Sequence, residues 1–159
     1  MPMDSERQKL IQECMQSLRQ IVRTLEDYST GVEKRFGLTG PQLWALWELG
    51  RGGPMALKDL AERMKLDAST MVGVVDRLVA KGLVVRNPDP LDRRRVSLVP
   101  TAKGGTILAA APHPAQGHLL AGLEHLDPET VVRLHQALST LVKVMGAEGK
   151  KAPFFFAQG

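Results

Sequence analysis

The sequence predicts a mainly α-helical domain with one small β-hairpin, and three observations carry that prediction. Apolar residues recur at helical spacing along most of the 159 residues. The period switches to a β-type pattern over two short runs, LVVRN (83–87) and RVSLV (95–99). Aromatics are only 4% of the chain, too few for the core of a sandwich or barrel, so packing falls to Leu, Val, Met and Ala. The length suits a single domain that buries a core without a disulfide or metal.

In chain order, Ile11, Met15, Leu18, Val22, Leu25 and Val32 form a narrow seam on a long helix from about Asp4 to Val32, with Ser29 in the skipped place. Such a seam calls for a partner helix. Thr39-x-x-Gln42 reads as a capping box, with Pro41 in the first turn of a short helix ending at Gly50. LKDLAERM (57–64) gives a third helix and Lys65-Leu66 a tight turn. Asp67 then caps a fourth helix, whose inward stripe is Met71, Val74, Val75, Leu78 and Val79. Ser69, Thr70, Val72, Gly73, Asp76 and Arg77 face outward, and Lys81-Gly82 ends the helix.

The two β-type runs, separated by Pro88-Asp89-Pro90-Leu91-Asp92, form a hairpin with an arginine-tipped loop. Thr101 starts another helix, which Pro112 and Pro114 should kink or split. Asp127-Pro128-Glu129 starts the last helix. Its seam of Val131, Leu134, Leu138, Leu141 or Val142 and Met145 would be buried, like the first one, if the two packed together.

Charge points to a partner. Residues 58–103 hold ten Lys or Arg against six Asp or Glu, whereas the rest of the chain holds eleven of each sign. A basic centre between neutral arms is the footprint of a module that meets a polyanion. Two short helices joined by a tight turn and followed by a basic hairpin make a winged helix-turn-helix, and the major groove of double-stranded DNA admits one such helix. Ser69, Thr70, Val72, Gly73 and Arg77 are the candidate groove-facing residues of the recognition helix. Ser69 and Thr70 also fit a purely local role as first-turn caps. On the wing, Arg86, Asp92, Arg93, Arg94 and Arg95 are the candidates, the arginines suiting a narrow minor groove and Asp92 holding one of them extended.

These stretches, LTGPQLWALWELG, LKDLAERMKLDASTMVGVVDRLVAKGLVVR and DPLDRRRVSLVPTAKG, resemble the MarR family of bacterial transcription regulators in order and spacing over roughly residues 8–145. The wing pattern Asp-Arg-Arg, a strand and Thr-x-x-Gly is the most specific part. The resemblance implies a dimer interlocked through helices from both ends of the chain, a recognition helix at 67–81 and a wing at 86–95. It also implies a repressor released by a small lipophilic or phenolic effector. The expected division is a dimerisation region at 1–36 and 101–146, a DNA-binding lobe at 37–100 and a tail at 147–159. Departures are Lys65 where relatives often carry Gly, Val72 and Gly73 where they often carry polar groups, and Pro100 at the end of the last strand.

Trp44 and Trp47, with Met15 and Leu18, are the candidate effector pocket, the alternative being that the tryptophans are core aromatics. Cys14 sits where a peroxide-sensing branch of the family keeps a reactive cysteine, but a small apolar residue buried in the seam is the simpler reading. As the only cysteine it forms no internal disulfide, and with no signal-peptide-like or membrane-spanning run the expectation is a cytoplasmic protein. His113, His118, His125 and His135 complete no zinc pattern, so no metal and no cofactor are expected. No P-loop, dinucleotide, hydrolase or zinc-protease motif is present, so the chain is read as no enzyme. A winged helix that binds protein in place of DNA is the competing reading. The tail carries Phe154-Phe155-Phe156, which would dock on a partner subunit, cover the pocket or hang free.

Overall fold

The computed structural model describes residues 2–155, with side chains from Asp4 onward. Seven helices and one hairpin follow each other among these residues. Helix α1 (Pro2–Phe36) is a single rod, roughly 50 Å long at 1.5 Å per residue. Gly37, at φ +65, turns the chain into α2 (Gly40–Gly52). The Thr39–Gln42 capping box forms with both its hydrogen bonds, and Pro41 occupies the first turn. Helices α3 (Leu57–Arg63) and α4 (Ala68–Ala80) are joined by the turn at Lys65.

Strands β1 (Val84–Pro88) and β2 (Val96–Pro100) pair antiparallel with Val84 opposite Pro100 and Pro88 opposite Val96. Each end rung carries a proline, Pro100 at one and Pro88 at the other, and neither has an N–H to donate to the ladder. Met55 adds a bridge to Leu98 on the other edge of β2, which the sequence did not announce. As expected of Pro112 and Pro114, the following helix is split into α5 (Ala102–Ala110) and α6 (Ala115–Glu124). Helix α7 (Pro128–Val144) is capped by Asp127, whose carboxylate accepts from the Thr130 amide and hydroxyl and is held below its usual range by those two bonds.

The core lies between α2, α3, α4 and the hairpin. Leu43, Trp44, Leu46, Leu49, Leu60, Met64, Met71, Val75, Leu78 and Leu98 are all buried there. Thr101 explains the spacing of its motif: its hydroxyl donates to the Gly82 carbonyl at 2.6 Å and accepts from the Gly104 amide at 3.1 Å. That places Gly104 against the Leu83 carbonyl, where a β-carbon has no room. A polar contact ties the same region to the junction of α1 and α2: Lys81 Nζ donates to the Gly37 carbonyl at 2.7 Å and to Gln42 Oε1 at 2.8 Å.

One expectation fails within the single chain. The seams of α1 and α7 do not bury each other: Met15 is 45% exposed and Leu138 49%, with Ile11, Val22, Val131 and Leu141 similarly open. Only the C-terminal end of α1, through Val32, enters the core, because the rod extends past the lobe. Cys14 is likewise exposed and not buried in a seam.

Candidate nucleic-acid interface

Helix α4 presents one face to the core and the other outward. Met71, Val74, Val75 and Leu78 are buried, Ser69, Val72, Asp76 and Arg77 are exposed, and Thr70 and Gly73 are half-buried. Val79, expected inward, is at the margin of the core. A β-carbon on Gly73 would meet nothing within 4 Å, so the helix surface there is flat and open. Asp67 organises the first turn: the Ser69 hydroxyl and the Thr70 amide each donate to its Oδ1 at 2.7 Å. The Ser69 bond, then those from Thr70, bring the Asp67 carboxyl down to about 2. Ser69 thus spends its proton on the cap and keeps its oxygen as an acceptor.

The turn into α4 carries backbone strain. Lys65 has φ +56, in the left-handed region that disfavours a residue with a β-carbon. Its amide donates to the Glu62 carbonyl and the Leu66 amide to that of Ala61, which fixes the turn.

The wing is built around two aspartates. Asp89 Oδ1 accepts from the Leu91 amide at 2.8 Å and the Asp92 amide at 3.3 Å, and the Arg95 carbonyl accepts from the Asp89 amide at 2.9 Å, which closes the loop. Asp92 Oδ1 accepts from the Arg94 amide at 3.1 Å and from its Nε at 3.2 Å. One arginine of the tip, Arg94, is therefore paired with Asp92, while Arg93 and Arg95 are exposed beside it. Arg86 has a different setting, since its guanidinium pairs with Asp76 on α4. That pair ties β1, the strand that leads into the wing, to the outward face of α4.

The four residues expected to line one pocket do not come together. Trp44 borders a groove of about 330 Å³ whose other walls are from α6, the α3–α4 turn and the tail, including Leu119, Leu123 and Phe155. Trp47, Met15 and Leu18 are not among them. Trp47 meets His113 in a tilted contact with ring centroids 4.5 Å apart, and the Arg51 guanidinium lies over the Trp47 ring, 5.1 Å from its centroid. His113 in turn meets His118 edge-on at 5.3 Å. Sequence spacing kept these histidines apart, and the break between α5 and α6 brings them together. Among the described residues no group of His, Cys, Asp or Glu is placed to hold a metal. No helix among them is long and apolar enough to cross a membrane.

Two buried polar atoms lack acceptors: Trp44 Nε1, beside the groove, and the Tyr28 hydroxyl, in a separate smaller pocket with Leu25, Pro41 and Ala115. Burial pushes the Tyr28 hydroxyl up, and the Ala115 amide facing it offsets this in part. Gly117 lets α6 approach Trp44 closely, since a β-carbon there would sit 2.6 Å from Nε1. Phe154 is buried in the core and Phe155 walls the groove, so this part of the tail covers the lobe; Phe156 lies outside the described residues.

A model of the MarR family matches residues 36–95, the span from the end of α1 to the tip of the wing. A solved structure of a MarR family protein from Bacillus stearothermophilus is 27% identical, with a TM-score of 0.54, over 87% of this chain and 97% of that one. A probable transcriptional regulator from Pseudomonas aeruginosa is 31% identical, with a TM-score of 0.52, over 76% of this chain and 93% of that one. Over a shorter stretch the chain is 38% identical to the transcriptional repressor NicR of Pseudomonas putida, covering 46% of each.

Proposed function

The chain belongs to the MarR family of transcriptional regulators, and on that premise we propose that it binds double-stranded DNA as a homodimer and represses from a pseudopalindromic operator. The observation that carries this reading is the pairing of the wing arginines, Arg94 with Asp92 at the tip and Arg86 with Asp76, which ties β1 to the outward face of α4. Ser69, Thr70, Val72, Gly73 and Arg77 enter a major groove, and Arg93, Arg94 and Arg95 follow the flanking minor groove. With few hydrogen-bonding groups on α4, Val72 reads thymine methyls and much of the sequence preference comes from groove shape.

The division of labour follows the exposed seams. Residues 1–36 and 101–146 form the dimerisation region, where the open faces of α1 and α7 pack on those of a second copy, and 37–100 is the DNA-binding lobe. Burying such leucine and valine faces is worth about 25 cal/mol per Å² of apolar surface, so a long two-helix seam supplies a strong driving force. Two lobes then meet half-sites about one helical turn apart.

The effector is a small lipophilic or aromatic compound that enters the groove beside Trp44. An apolar wall with a few convergent polar groups is the usual form of such a site, and the acceptor-less Trp44 Nε1 is a donor for a ligand oxygen. A ligand there shifts the separation of the lobes and lowers DNA affinity by the difference in its affinity for the two arrangements. Fluorescence-anisotropy titration of duplex from upstream of the protein's own gene, with scrambled duplex as competitor, tests the reading. Salt-sensitive, sequence-selective binding at two subunits per site is expected. A folded dimer that binds no duplex at low salt would replace it with a protein-binding winged helix.

A further inference from the structure

The tail beyond α7 folds back onto the DNA-binding lobe. Two left-handed glycines, Gly146 at φ +64 and Gly149 at φ +75, reverse the chain. Ala152, Pro153 and Phe155 then lie along the groove formed with Met64, Lys65 and Leu66, the turn that leads into α4. Phe154 is only 8% exposed within the core, and Gln116 Nε2 donates to the Pro153 carbonyl at 3.5 Å. Burying one phenylalanine contributes roughly 1.5–3 kcal/mol, which makes it an anchor for a short segment.

The residues just before that anchor are Lys150 and Lys151, both exposed and in no ion pair among the described residues. Lys151 directly precedes Ala152, which lines the groove beside Lys65 and Leu66, the turn that leads into Asp67 and the first turn of α4. Lys65 is exposed on the same turn, its charge partly balanced by Asp59 and Glu62 in the adjoining groove. The Asp67 oxygen that faces the first turn already accepts from Ser69 and Thr70, and no carboxylate among the described residues forms an ion pair with Lys150 or Lys151.

We propose that Lys150-Lys151 is a further DNA-backbone contact of each subunit, held beside the first turn of α4 by the Phe154 anchor. The inference rests on the DNA-binding reading of the lobe. An ammonium on a four-carbon stem reaches a phosphate without needing a fixed geometry, so this contact adds affinity on any sequence and leaves selectivity unchanged. It also couples the groove to DNA affinity, since Phe155 walls that groove and sits four residues from Lys151.

The test uses the full-length protein and an unrelated duplex of about 30 base pairs, long enough for both subunits, in anisotropy titrations across salt. The variants are Lys150→Gln with Lys151→Gln, Phe154→Ala and, as reference, Arg94→Ala. Removing two phosphate contacts lowers the slope of log affinity against log salt by roughly 1.8 per subunit. The lysine variant touches only exposed side chains, so its fold is not in question. Phe154→Ala, checked by circular dichroism, should lose affinity in the same way because the tail is released. Wild-type binding with a reduced slope for Arg94→Ala and none for the lysine variant overturns this inference alone. Failure of the wild type to bind any duplex overturns the DNA-binding reading beneath it.

Discussion

Asp92 and Arg94 form a closed unit at the wing tip, one carboxylate oxygen accepting from the arginine's own amide at 3.1 Å and from its Nε at 3.2 Å. The terminal guanidinium nitrogens remain free to reach outward from an arm whose direction is set. Because the pair is exposed, it adds little to stability. Its value lies in holding Arg94 where DNA passes. Arg94→Ala should therefore weaken binding on all sequences and lower the salt slope by about one per subunit. Asp92→Ala should weaken it by a few-fold, with an unchanged melting temperature. Equal affinities for wild type and Arg94→Ala across salt concentrations would remove the wing from the interface.

Lys65 carries the opposite signature, a local cost at an exposed turn. Its φ of +56 favours glycine, for which the left-handed region is easy. Lys65→Gly should gain up to about 1 kcal/mol in urea unfolding, the usual scale of a β-carbon's penalty in that region. Destabilisation by the substitution would mean that the lysine stem's packing outweighs the backbone strain.

The Asp67 cap is sensitive to acid. Its folded carboxyl titrates at about 2 against an ordinary 3.8, so the unfolded chain takes up the proton first as pH falls. The stabilisation is complete above the ordinary value and is lost as pH drops towards 2. Asp67→Ala should lower Tm by a few degrees at neutral pH, and the gap from wild type should close between these two pH values. A gap that persists undiminished at the acid end would rule out the charged cap as its cause.

Gly73 separates folding from binding. Its β-carbon position is open, so Gly73→Ala should stabilise α4 by about 0.5–1 kcal/mol, the ordinary helix advantage of alanine. If the helix sits deep in a groove at this point, the same methyl group lowers DNA affinity. A more stable variant with undiminished affinity would place Gly73 off the interface.

The exposed seam of α7 predicts the oligomer. Leu138→Asp leaves the core of the lobe untouched and puts a charge on the face proposed for the second copy. Sedimentation should show a monomer that keeps its helical circular dichroism and loses affinity for a two-half-site duplex. A dimer unaffected by this substitution would move the interface elsewhere.

What the sequence determined by itself is mostly local. The capping box at Thr39, the Asp67 and Asp127 caps, the proline break after α5 and the hairpin all follow from residues within a few positions of one another. The outward face of α4 was legible for the same reason, because helical periodicity alone separates Met71 and Val74 from Ser69 and Val72. Charge placement along the chain added the arginine wing. Contacts between distant segments were set only by tertiary packing. Arg86 reads as one more basic residue until the hairpin folds against α4 and gives it Asp76. Trp44 and Trp47 are neighbours on α2, yet the angle between their positions turns one into the core groove and the other towards His113. The Phe154 anchor has no local signal, since it depends on two glycine reversals carrying the tail to the far side of the lobe. The seams differ: their period was plain in the sequence, but within one chain only the Val32 end of α1 reaches the core of the lobe, which leaves the rest of that seam and the seam of α7 uncovered.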